Sequence, residues 1–204
     1  MGLFDDLLNV VSKEISSTAR KELNNAAKGA FNAAAKALNT KTETFTFRSL
    51  PASLTELQAL PESTLDTPYK TAALAILALV NYNKNLDATI EMMDFLKGPA
   101  NVSPYEKQFY RDRLAGKDYK MLSFFEGATV ENGYNPSNPY TIKISSNPYS
   151  QSEENWITLY VKSAGADSPF QIKLRKKPST GQWFVNDMLC LGDIRVPAEQ
   201  DPWA

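Results

Sequence analysis

The chain has 204 residues, enough for one domain and an appendage, and its 43% hydrophobic and 11% aromatic content excludes a disordered or collagen-like polymer. A formal net charge of -1 removes bulk electrostatics as an argument for nucleic acid, which is not expected as a partner. No histidine and one cysteine, Cys190, rule out Ser-His-Asp and Cys-His nucleophiles and an intrachain disulfide, and take away the commonest zinc ligand. No catalytic residue, metal ligand or cofactor is therefore assigned. Cys190 lies in Met188-Leu189-Cys190-Leu191 and reads as a small buried hydrophobe.

Residues 3–38 lack proline and are rich in good helix formers. Apolar positions at Phe4, Leu8, Val11, Ile15, Ala19 and Ala26 fall on one face, so the spacing predicts a long amphipathic helix over residues 1–40. Its bulky end, Phe4, Leu7, Leu8, Val11 and Ile15, is the candidate interaction surface. Three covers compete for it: a second copy or another partner helix, a membrane surface, and the chain's own domain. The modest basic excess weakens the membrane reading. Asp5 and Asp6 stand where a secretory signal wants positive charge, and Asp6 also breaks the myristoylation motif begun by Gly2. Cytoplasmic residence is the default expectation, with peripheral membrane attachment as its variant. The boundary with a single α+β domain, residues 41–204, is placed within 39–44. Residues 39–47 alternate Thr and Phe, as an extended linker or a short edge strand would.

The first half of that domain, residues 48–126, is helical. Ser53-Leu54-Thr55-Glu56 reads as a capping box opening a short helix that Pro61 ends. Thr67-Pro68 supplies a cap and a first-turn proline to the apolar run 72–80, which is too short to cross a bilayer and predicts a core helix. Residues 87–97 repeat the logic, with Ile90, Met93 and Leu96 inward and Gly98-Pro99 as the stop. Ser103-Pro104-Tyr105-Glu106 combines cap, proline and capping-box glutamate, and Gly116 closes the helix it starts. Lys107 and Arg111 on that helix form either a solvated face or a weak anion-binding pair.

The second half, residues 127–204, reads as strands. Residues 127–139 are dense in turn formers, and Tyr134 with Phe124 and Phe125 either walls a pocket or pins this loop to the core. Four alternating runs follow: 140–145, 156–162, 170–176 and 182–187, the last after a Pro178-Ser179-Thr180-Gly181 hairpin turn. Short links favour an antiparallel meander of about four strands with the helical half packed on it. Residues 173–177 are the only basic cluster; on a strand they give an outward stripe of Lys173, Arg175 and Lys177. Nucleic acid would use such a stripe together with aromatic platforms, whereas an edge strand guarded by lysines explains it without a ligand.

The motifs SLTELQALPE, TPYKTAALAILAL, SPYEKQFYRDRLAGKDY, FFEGATVENGY and GADSPFQIKLRKKPSTGQWF together resemble a bacterial protein family known only as a domain of unknown function. The resemblance spans about residues 48–204 and implies no catalytic or binding residue. The functional expectation is a non-enzymatic interaction protein working through its N-terminal helix. The alternative is a small-molecule-binding domain or a carboxylate- or tyrosine-based enzyme, with a pocket between the sheet and loop 127–139.

Overall fold

A computed structural model describes residues 40–151 and 153–203. The expected helix over residues 3–38, with Phe4, Leu7, Leu8, Val11 and Ile15, lies outside the described residues. Within them the chain runs β1 (Thr42–Phe47), α1 (Leu54–Gln58), α2 (Pro68–Val80), α3 (Leu86–Lys97), α4 (Pro104–Leu114) and α5 (Tyr119–Leu122). Then come β2 (Tyr140–Ser145), β3 (Trp156–Val161), β4 (Phe170–Lys176) and β5 (Trp183–Asp187). The class is α+β, as expected.

The helix starts are set by the residues the sequence nominates. Oγ atoms of Ser53, Thr67 and Ser103 accept from the N–H groups of Glu56, Lys70 and Glu106. At Ser103 the box closes fully, because Glu106 Oε2 takes the Ser103 N–H at 2.9 Å. At α1 the expected box is shifted: Glu56 Oε2 accepts from Ala52, one residue before the cap, at 2.8 Å. The first cap of α3 is Asn85, whose side chain accepts from Ala88. That helix buries Met92 as well as Met93 and Leu96, while Ile90 is only half-buried, so its inner stripe is turned from the expected one.

Helix α2 is the axis of the core. Residues 71–80 are all buried, and the helix touches α3, α5 and all five strands. Four of its buried residues are alanines, Ala72, Ala73, Ala75 and Ala78. Such small side chains let a helix pack closely on its neighbours. Thr71 Oγ1 donates to the Trp183 carbonyl at 2.9 Å, fixing the helix against β5.

The sheet has five strands rather than four, in the order β1-β2-β3-β4-β5 and antiparallel where neighbours pair. The extra strand is β1, the Thr/Phe segment, which pairs along its whole length with β2 from Thr42↔Ser145 to Phe47↔Tyr140. Phe45 and Phe47 face the core and Thr42, Thr44 and Thr46 face out, which is the period-2 alternation of a strand covered on one side. Between β2 and β3 the pairing lasts only from Ile144↔Val161 to Ser145↔Tyr160. Beyond that the strands fork, and residues 125–126 fill the gap: Phe125 bridges to Ile142 and the Glu126 N–H donates to the Thr141 carbonyl at 2.8 Å.

The free side of β5 is covered. Trp183 N–H donates to the Leu65 carbonyl, Thr71 takes the Trp183 carbonyl, and Lys97 Nζ reaches the Asn186 carbonyl. Covering an edge in this way blocks the addition of a further strand.

Candidate functional site

One face of the sheet is packed on the helices, and alternation sends the other side chains outward. On β3 and β4 the buried set is Leu159, Val161, Ile172 and Leu174. The residues between them, Trp156, Thr158, Tyr160, Gln171, Lys173 and Arg175, therefore form the outer face. The register puts Trp156 opposite Arg175 and Thr158 opposite Lys173. Lys173 Nζ lies 4.9 Å from the Trp156 ring centroid and the Arg175 guanidinium carbon 5.1 Å. Both cations are thus held by the negative face of an indole rather than by a counter-charge.

Strand β4 is interior, paired with β3 on one side and β5 on the other. The explanation of its basic stripe as lysines guarding an edge is therefore corrected: there is no edge at β4 to guard. Among the described residues no carboxylate forms an ion pair with Lys173, Arg175, Lys176 or Lys177. Elsewhere Lys41 pairs with Glu43, Lys70 with Asp66, Lys97 with Glu106, Lys143 with Glu126, and Arg195 with Asp167. Arg48, Lys84, Lys107, Arg111 and Lys162 also form no ion pair among the described residues, but they stand apart from the β4 stripe. Asp193 alone takes Arg113, Lys117 and Lys120.

Beside the stripe lies a cleft of about 240 Å³, where the turn after α3 approaches the β4–β5 hairpin. Pro99, Ala100, Pro178 and Phe184 supply apolar walls, and Arg175, Lys176 and Lys177 bring positive charge to it. Gly98 makes the approach feasible. Its φ is +59°, and a Cβ there would stand 2.5 Å from Phe184 Cδ1, so only glycine lets this turn lie against the ring. Lys97 also borders the cleft but is 5% exposed and bound to Glu106 Oε1 at 2.6 Å. Burial alone would raise the Glu106 carboxyl; hydrogen bonds from Lys97 and from the N–H and Oγ of Ser103 outweigh it and hold the group below its ordinary value.

Two further hollows are less well equipped. One, of about 360 Å³, sits at the β2–β3 fork and is lined by Thr42, Lys143, Ser145, Lys162 and residues 123–128. This is where the pocket expected between the sheet and loop 127–139 falls: Gly127 and Ala128 at the start of the loop line it with Phe124 and Phe125, whereas residues 129–139 do not. Tyr134 is fully buried instead, stacked on Tyr119 at 5.7 Å, with its hydroxyl donating to the Arg195 carbonyl at 2.7 Å. It pins the loop. The other hollow, about 430 Å³, holds Lys107 and Arg111, but Asp87 and Glu91 line it too, so it presents no single sign to an anion.

The remaining reactive groups are engaged in structure. Cys190 is buried, and desolvation pushes its thiol up to about 12, so it carries essentially no thiolate near neutrality. Lys120 is 3% exposed, and burial lowers its ammonium against the pull of Asp193. Among the described residues no group of His, Cys, Asp and Glu is placed to hold a metal ion, and no helix is long and apolar enough to cross a membrane.

What these observations define is an α+β domain whose outer sheet face carries cations. Residues 49–198 match the family model of a domain of unknown function, DUF6935, and the chain belongs to that family. The matched span begins just after β1. No curated protein and no solved structure matches the chain.

Proposed function

We propose that this chain is a non-enzymatic interaction protein of the cytoplasm. Its folded body takes an anionic partner on the outer face of β3 and β4, and residues 3–38 mediate self-association or attachment to a membrane surface. The observation that carries the reading is the stripe Lys173, Arg175 and Lys177 on or just beyond an interior strand, with no ion pair to a carboxylate among the described residues although Asp187 stands opposite Lys173. Neighbouring like charges repel, and an interior strand needs no protection from strand addition. A surface that keeps such charges together is suited to a counter-charge from outside the domain. For residues 3–38 the support is the apolar ribbon of Phe4, Leu7, Leu8, Val11 and Ile15.

The two halves of the proposal are tested separately. Reversing Lys173→Glu with Arg175→Glu should abolish retention on a polyanionic resin at low salt and leave the melting temperature within a few degrees of the parent; unchanged retention sinks the body's role. Leu8→Asp with Val11→Asp should abolish association in sedimentation or flotation with vesicles while the domain melts as before. Undiminished association in both assays refutes the role given to the N-terminal ribbon.

A further inference from the structure

The stripe and the cleft share Arg175, which lies against Trp156 and also borders the cleft. We infer that together they form a docking site for an acidic peptide segment carrying one bulky apolar side chain. The carboxylates meet Lys173, Arg175 and Lys177, and the apolar side chain enters the cleft against Phe184, Pro99, Ala100 and Pro178. The inference rests on the anionic-partner reading above and names the partner's chemistry.

Three features select this occupant. First, charge complementarity sets the sign: the cations about the cleft that lack a counter-charge are Arg175, Lys176 and Lys177, because Lys97 is satisfied by Glu106. Second, size sets the scale of the anchor. A volume of about 240 Å³ falls below the roughly 300–1,000 Å³ of pockets that hold whole small molecules and suits a single side chain. An apolar anchor in a pocket ringed by charge is the usual energetic centre of a protein–peptide contact. Third, the geometry disfavours the competitors. A single-stranded nucleic acid would stack bases on exposed rings, but Lys173 and Arg175 already lie over Trp156. A peptide adding itself as a sixth strand at β5 would find that edge taken by Leu65, Thr71 and Lys97. The peptide therefore crosses the face through side-chain contacts.

The experiment uses the full chain and three fluorescein-labelled probes: a twelve-residue oligoglutamate with a central Phe, the same peptide with a central Ala, and a twelve-nucleotide oligothymidylate. Anisotropy at low salt should show the Phe peptide binding about tenfold tighter than the Ala peptide, the yield of one well-buried anchor. Ala100→Trp fills the cleft from an exposed position. It should erase that difference and leave the Ala peptide's affinity unchanged, with the melting temperature reporting an intact fold. Equal affinity of the two peptides for the parent overturns the anchor while the anionic-partner reading stands. A preference that survives Ala100→Trp places the anchor elsewhere and overturns the cleft assignment. Tighter binding of the oligothymidylate than of either peptide assigns the face to nucleic acid instead. Binding of no probe removes the inference and the reading beneath it together.

Discussion

Two groups of cations on this molecule use the same residue types to opposite ends. Around Asp193, Lys120 is nearly buried and donates to the Arg113 carbonyl, the Leu191 carbonyl and the Asp193 carboxylate, while Arg113 and Lys117 flank the same carboxylate. These bonds tie residues 191–193 to α4 and α5. The Lys120 hydrogen bond, with the charges around it, holds the Asp193 carboxyl below the usual aspartate range. On β4 the cations stand on the solvent side of the sheet against an indole; Asp187 lies across from Lys173 in the register, but among the described residues no carboxylate closes an ion pair with them. A cation that has its counter-charge within the fold is a structural tie, whereas one that lacks it is available to something else.

Removing the anion from a buried tie should cost most. Glu106→Ala would leave Lys97, 5% exposed, without its carboxylate and would also remove half of the α4 capping box. The expected loss is about 3 kcal/mol, measured by urea unfolding. The sign with pH follows from the lowered Glu106 carboxyl. Its contribution is complete above the ordinary value of 4.5 and fades as pH falls through the lower folded value. The gap between parent and variant should therefore narrow below about pH 4.5, and a gap that widens there contradicts the assignment.

Asp193→Ala should cost less, roughly 1–2 kcal/mol, because Asp193 is itself 68% exposed and water screens what it offers Lys120. Smallest of all should be Lys173→Ser with Arg175→Ser. Only exposed contacts with Trp156 are lost, and about 1 kcal/mol or less is expected. Calorimetry showing this double variant to be as destabilised as Glu106→Ala would make the β4 stripe another structural tie and erase the contrast.

Local chemistry was readable from the chain, and long-range neighbourhood was not. Ser53, Thr67 and Ser103 announce helix starts because a cap needs only its own next turn. The meander followed from short links, and the outward stripe of Lys173, Arg175 and Lys177 from period-2 alternation alone. The place of β4 inside the sheet depends on what lies on either side of it, which its own residues do not encode; hence the mistaken edge. Likewise, residues 42–47 carry the alternation of a strand, but their partner lies far along the chain, so linker and strand remained equal readings. The cleft had no sequence signature. It exists because Gly98-Pro99-Ala100, legible only as a helix stop, is brought against Phe184 by the packing of α3.

Strand β1 has a consequence for assembly. Strands β2 to β5 meet their neighbours soon after leaving one another, but β1 finds β2 only across the whole helical block, Thr42 facing Ser145. Zipping that pair closes a loop of roughly a hundred residues, whose entropy must be spent before any pairing rewards it. Strand β1 is thus the natural last to dock, a latch that seats Phe45 and Phe47 once the rest of the core is waiting for them.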